Sequence, residues 1–439
     1  MTERTTERTL ATKLSSLARR AIANTLLTCV SVFVGYVAME FAVFRVMLPL
    51  APLDIHSPLP AAADVLTQTS KSDYLPHDFI AILGDSYAEG YGDWLQQAGG
   101  KLKGPFHSGH IIHQQTRRDV VSFGIGGAGS AEAMVLRPAE IYPTSTCSIF
   151  PAIEQPRQMV VYFYEGNDIE DNLKFVGKVD KRYGGTDSQA IDRYLDEQYA
   201  GWEFLRCHGQ FAETTFKEAE FLSQYYITGH YVPYCGTPVP SKNHIVVGDR
   251  TIETPSLQGA APHLSDERIR LGMDVFARSL AWLRKRFEGV PITMVYVPSP
   301  ISIYRHAEEN ISFCSFFGAG LAPKILSERH HDAMRDMVAG ISANQRVGFV
   351  DATPALREAA RTSVIHGPVD WDHLNQSGYE ILGALVAARL QVKPQESPKE
   401  PLEDRSRTTS LGSSPRSTTL FAHDSRTPAP SASEDHQTR

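Results

Sequence analysis

Four short segments carry side chains whose types and order could perform acyl transfer: Gly84-Asp85-Ser86, Gly126-Gly127, Gly166-Asn167-Asp168 and Asp370-Trp371-Asp372-His373. A serine hydroxyl is a poor nucleophile until a base takes its proton. His373 can be that base. Asp370, three residues earlier, can hold the other ring nitrogen and fix the tautomer, with Asp372 as the second choice. A developing oxyanion needs N–H donors aimed at it. The backbone of Ser86, the glycine pair after the second apolar run and the side-chain amide of Asn167 can supply three. They converge only if each segment sits at the same end of neighbouring strands.

The intervening sequence contains such strands. Short apolar runs occur at 79–83, 120–123, 159–164, 292–297 and 347–350, the pattern of buried strands. Helix-like runs lie between them. The clearest places Ile269, Met273, Phe276, Leu280, Leu283 and Phe287 on one face of an amphipathic helix, and a final helix opens at 377 and runs to about 390. Apolar strands alternating with amphipathic helices predict a doubly wound α/β domain with a parallel sheet covered on both faces.

In this order and spacing the segments resemble the SGNH (GDSL-type) hydrolase superfamily. The resemblance runs from about residue 78 to 390. Its markers are Ser86 in ILGDSYAEG, Gly127 in VVSFGIGGAGS (Gly126 with a one-residue shift), Asn167 in YEGNDIED and His373 in DWDHLNQSGYE. The resemblance implies a flavodoxin-like three-layer αβα sandwich with a five-stranded parallel sheet. It also implies hydrolysis or transfer of O-acyl groups with no cofactor and no metal. The N-terminal anchor described below and the VYVPSPISIY stretch look like exported members acting on surface polysaccharides. The expected activity is therefore a serine esterase removing O-acyl groups, acetyl first among them, from a carbohydrate or envelope substrate. An O-acetyltransferase would use the same acyl-enzyme, and a non-catalytic carbohydrate-binding or assembly protein would keep the fold without turnover.

Other groupings point elsewhere less well. His107, His110 and His113 share a helical face but have no Cys, Asp or Glu to complete a zinc set. Glu165, Glu170 and Asp171 cluster on one loop, whereas a glycosidase needs carboxylates opposed across a cleft. The glycines at 124, 126, 127 and 129 lack the dinucleotide-binding pattern.

The remaining sequence sets location and organisation. The 439 residues are 42% hydrophobic and 21% charged, ordinary for a globular protein, and the net charge of −7 gives no footprint for nucleic acid. Residues 1–20 are basic, and Ala21 to Met39 carries no formal charge. This predicts a basic cytoplasmic segment, an uncleaved transmembrane anchor over 21–44 and an exported domain, periplasmic or extracellular, on the inner (cytoplasmic) membrane. A Pro/Ala-rich linker is expected over 45–76 and the hydrolase-like domain over 77–392. An irregular insertion at about 172–264 is expected to shape the substrate cleft, its aromatics (Tyr194, Tyr199, Trp202, Phe204, Tyr225, Tyr226) being candidates for stacking on sugars. A polar, disordered tail is expected over 393–439. Cys147, Cys207, Cys235 and Cys314 fall on the exported side; Cys207 with Cys235 is the preferred pair, and four free thiols is the alternative.

Overall fold

A computed structural model of the chain describes residues 2–50, 61–92, 107–145, 151–199, 209, 212, 242–315 and 317–391. Five parallel strands form the central sheet: β1 (Ile80–Leu83), β2 (Val120–Ser122), β3 (Gln158–Tyr164), β6 (Ile292–Val297) and β10 (Gly348–Asp351). Their spatial order is β10-β6-β3-β1-β2. Counted along the chain this is 2-1-3-4-5, the flavodoxin-like winding, with its switch point between β1 and β3. β1 pairs with β3 through Ile82↔Val160 and with β2 through Ile82↔Ser122.

The sheet has a core on each face because its side chains alternate. Ala81, Leu83, Met159, Val161, Phe163, Met294 and Tyr296 enter one core. Ile80, Ile82, Val160, Tyr162, Tyr164, Val295 and Val297 enter the other. The first is covered by α6 (Asp168–Tyr183), α8 (Asp266–Arg286) and α10 (Lys324–Asn344), through Val176, Phe276, Leu280, Met334 and Val338. The second is covered by α4 (Ser108–Thr116), α11 (Thr353–Ala360) and α12 (Gln376–Gln391), through Ile112, Leu356, Tyr379, Leu382 and Val386. The result is the three-layer αβα sandwich. Two accessory sheets stand beside it: β5 (Arg250–Thr254), β4 (Asn243–Val247) and β7 (Arg305–His306) in one, β8 (Asn310–Ser315) and β9 (Gly318–Pro323) in the other.

Near the N-terminus, α1 (Thr2–Ala42) continues in helical form to Leu50. Within it, Leu17–Met47 is long and apolar enough to cross a membrane, and residues 17–35 are exposed along their whole length.

Three expectations on organisation need redrawing. The stretch assigned as a linker contains α2 (Ala61–Thr67), whose Val65 and Leu66 are fully buried. After it, Gln68 exchanges two hydrogen bonds with the backbone of Ser122, and Ser70 is bonded to Val120 through both its hydroxyl and its carbonyl. Residues 61–76 therefore cover the free edge of β2, where unpaired backbone would otherwise invite aggregation. The insertion does not begin at 172, because α6 runs through that point and puts Leu173, Phe175, Val176 and Val179 into the core. Interruptions of its apolar rhythm by Asp, Lys and Arg on the solvent side hide this in the sequence. Tyr194, on α7 (Ser188–Tyr199), packs edge-on against Phe175 and Tyr183 and so fills a local core.

Trp202, Phe204, Tyr225, Tyr226, Cys147, Cys207, Cys235 and the tail 393–439 lie outside the described residues, as does the side chain of Tyr199. Cys314 is disulfide-bonded, and Cys29 on the apolar helix is free.

Candidate active site

The first βα turn presents Ser86. β1 ends at Leu83, and Ser86 opens the short helix α3 (Ser86–Glu89). Asp85 caps it, its Oδ1 accepting from the Tyr87 N–H at 2.9 Å. That leaves the Ser86 hydroxyl at the C-terminal edge of the sheet, and the residue is only 7% exposed.

His373 arrives from the far end of the chain, on the loop before α12. Its Nε2 lies 2.7 Å from Ser86 Oγ, and its Nδ1 lies 2.8 Å from Asp370 Oδ2. Nδ1–H therefore donates to the carboxylate, and Nε2 is left to accept from the serine. The other Asp370 oxygen accepts the backbone N–H groups of Asp372 and His373, so the carboxylate is locked. Asp372 contributes through its backbone: its carbonyl accepts from the hydroxyls of Tyr87 and Tyr164. These two tyrosines, their rings tilted against each other at 4.1 Å, tie the histidine loop to β3 and α3. Sequence reading missed both, although Tyr87 directly follows the serine.

Charge is distributed to suit the pair. Burial alone would push the Asp370 carboxyl up, but the bond and charge of His373 with two backbone N–H bonds hold it below the usual range. Burial opposes the charged form of His373, yet the bond and charge of Asp370 raise its pKa above the ordinary value. Asp85 is driven the other way: burial raises it to about 6, against the Tyr87 N–H and His373. It touches Ser86 Oγ only weakly, at 3.4 Å.

The loop after β2 brings the glycines. Gly124 passes so close to α3 that a Cβ there would sit 2.2 Å from the Glu89 nitrogen. Only glycine permits this approach. The Gly126 N–H is already engaged, donating to Glu89 Oε2 at 2.6 Å. Gly127 has φ +70° with open space on the side a Cβ would occupy, and its N–H has no partner among the described residues. Of the two glycines, Gly127 is the one with a donor to offer. Asn167 follows β3 and precedes α6, buried to 8% exposure, with its side-chain Oδ1 unpartnered. The structure thus joins Ser86, His373 and Asp370 directly and sets Gly127 and Asn167 in the turns after the two strands flanking β1. Tyr91, also missed in the sequence, lies against His373 with ring centroids 5.9 Å apart.

The three histidines at 107–113 all have local partners. His107 Nδ1 caps α4 through the Gly109 N–H, His110 Nε2 meets Thr69 Oγ1, and His113 Nδ1 meets the Arg118 carbonyl. Among the described residues no group of three or more His, Cys, Asp or Glu is placed to hold a metal.

No protein-family model and no curated protein matches the chain. Solved structures do. A mutant of Axe2, an acetyl-xylooligosaccharide esterase from Geobacillus stearmophilus, is 12% identical over 74% of this chain and 98% of its own, with a TM-score of 0.32. Phospholipase A1 from Streptomyces albidoflavus NA297 is 10% identical over 71% and 98%, also at 0.32. The acetyl xylan esterase Est2A from Butyrivibrio proteoclasticus is 9% identical over 71% and 62%, at 0.29. At these scores the likeness adds nothing to what the strand order itself establishes.

Proposed function

We propose that this chain is an SGNH-type serine esterase, held by its N-terminal helix on the inner (cytoplasmic) membrane with its α/β domain exported. It removes O-acyl groups, acetyl first among them, from a carbohydrate or other envelope substrate. The observation that carries the reading is the chain of contacts Asp370–His373–Ser86, at 2.8 and 2.7 Å.

The chemistry follows from that geometry. His373 Nε2 takes the Ser86 proton as Oγ attacks the ester carbonyl, and Asp370 stabilises the imidazolium that forms. The oxyanion is received by the N–H groups of Ser86 and Gly127 and the side-chain amide of Asn167, each such donor being worth about 3 kcal/mol in the transition state. Collapse expels the alcohol, which takes its proton from His373 Nε2. Water, deprotonated by the same nitrogen, then releases the acid from the acyl-enzyme.

The test is labelling of the full chain by a fluorophosphonate, followed by acetate release from nitrophenyl acetate and from acetylated polysaccharide. Labelling at Ser86 with release into water supports the esterase. Transfer of the acyl group to an added sugar in preference to water would reassign it as an O-acetyltransferase. No labelling and no release would leave a carbohydrate-binding role.

A further inference from the structure

The apolar helix packs into the domain at its C-terminal end, and the place where it joins bears on the substrate. Residues 17–35 are exposed along their whole length. At 1.5 Å per residue these 19 residues span about 28 Å, close to the thickness of a bilayer core. Burial along the helix begins at Tyr36 and deepens at Glu40 and Phe44, one face of the helix at a spacing of four. The Tyr36 hydroxyl donates to Glu40 Oε1 at 2.9 Å and accepts the Ala212 N–H, while Glu40 is fully buried. Phe44 is 1% exposed and belongs to the core on one face of the sheet. Its carbonyl accepts from the Tyr74 hydroxyl.

Tyr74 fixes where this junction lies. The segment around it is tied to Asp119, the residue before β2: the Ser72 N–H donates to Asp119 Oδ1 and the His77 N–H to Oδ2. β1 begins three residues after His77. The junction is therefore at the N-terminal edge of the sheet. Ser86, Asn167 and the loop after β2 are all at the C-terminal edge, at least the length of β1, about 13 Å, farther on.

We propose that the helix is a fixed post that holds the catalytic edge away from the bilayer, so that the site acts on a water-borne acylated carbohydrate chain and not on lipids of its own membrane. The proposal rests on the esterase and anchor readings above. A long flexible tether would let the domain roll over and face the lipid. A post packed through Tyr36, Glu40 and Phe44 fixes one orientation.

The experiment uses the full chain in liposomes whose headgroups carry an energy-transfer acceptor. A single clickable residue bearing the donor replaces either Ser72, exposed at the N-terminal edge, or Ser377, exposed in the first turn of α12 just after His373. Transfer from position 72 should exceed that from 377 by about twofold or more. Equal or reversed transfer would overturn the proposal. In the same liposomes, a soluble acetyl ester should be hydrolysed as fast as in detergent, and the host phospholipid should be left intact. Hydrolysis of that phospholipid at a rate comparable to the soluble ester would also overturn it. Absence of any soluble-ester turnover would instead strike the esterase reading, because transfer still reports orientation. Failure to co-float with liposomes would strike the anchor, and the proposal with it.

Discussion

The C-terminal edge of the sheet holds two sets that each combine a carboxylate, an imidazole and one or more hydroxyls, and they are wired differently. In the first, Asp370, His373 and Ser86 are in series: the ring lies between acid and hydroxyl, one nitrogen on each. In the second, Glu165 collects everything in parallel. Ser299, Ser302, Tyr296 and His331 Nδ1 all reach its two oxygens directly. His331 Nε2 is buried with no hydrogen-bond partner among the described residues. Wired in series, the imidazole can take a proton from the hydroxyl. Wired in parallel, the hydroxyls give their hydrogen bonds to the acid; the Tyr296 hydroxyl also meets His331 Nδ1, but at a long 3.4 Å and on a nitrogen already committed to Glu165. Although burial alone would raise it, Glu165 is held below its ordinary pKa by His331 and the two serines. Residue type alone therefore does not separate a reactive set from a structural one; connectivity does. The second set pins the residue two before Asn167, which fixes the turn that carries a proposed oxyanion donor.

Breaking the series arrangement should give the largest effect. Ser86→Ala or His373→Ala is expected to lower kcat for a nitrophenyl ester by about 10⁶-fold, with circular dichroism unchanged. A variant retaining a tenth of wild-type turnover would remove these residues from the reaction.

Asp370→Asn should cost on the order of 10⁴-fold, and Asp372→Asn far less, since Asp372 meets the tyrosines through its backbone carbonyl. The pH profile sharpens this. The base must be neutral to act, so activity rises with pH through the His373 pKa. Asp370 holds that pKa above the ordinary histidine value, so the acid limb should sit above 6.5 in the wild type and move to lower pH in Asp370→Asn. An unmoved limb would separate His373 from Asp370 in solution.

Asn167→Ala should lower kcat by about 10²–10³-fold with little change in KM, the loss expected for one oxyanion donor. A change confined to KM would make Asn167 a ground-state binding residue.

How much of this was legible in the sequence follows the same division. The parallel sheet could be read because β1, β3 and β6 are uninterrupted apolar runs, buried on both faces. Ser86 and His373 could be read because glycine, aspartate and turn residues flank them. The wiring of the second set was invisible: Glu165 sits in YEGNDIED and Ser299 and Ser302 in VYVPSPISIY, but His331 lies 166 positions from Glu165 and nothing in the sequence joins the three segments. Glu165 was noticed only as a loop carboxylate. The edge-covering role of 61–76 was hidden for another reason. Its Pro/Ala-rich composition reads as a tether, while its structure depends on Gln68 and Ser70 meeting β2 backbone some 50 residues away.

Breaking the parallel set should spare chemistry and cost stability. Glu165→Gln removes the charge opposite buried His331 and turns one acceptor into a donor facing hydroxyls. Loss of one partner of a buried pair costs about 3–5 kcal/mol. A lowered midpoint in urea is expected, with fluorophosphonate labelling of the folded fraction retained. Normal stability with lost labelling would make Glu165 part of the reaction.

The smallest effect tests the rule that donor number sets charge. Glu165 has four donors and is ionised; Glu89 has the Gly126 N–H and, through burial first and the nearby Asp64 carboxylate second, is raised to about 7. A carboxyl raised in the folded state favours folding when protonated. Its contribution is full below the unfolded value near 4.5 and is lost as pH climbs through about 7. Glu89→Gln keeps the acceptor for Gly126 and does not titrate. Wild type and variant should therefore melt alike near pH 4.5. Above pH 7 the wild type should fall behind by up to about 3 kcal/mol, the most that a rise from 4.5 to about 7 can contribute. A gap that stays constant across this window would mean that the Glu89 carboxylate is charged throughout, and that a single backbone donor suffices to keep a partly buried acid ionised beside the proposed oxyanion loop.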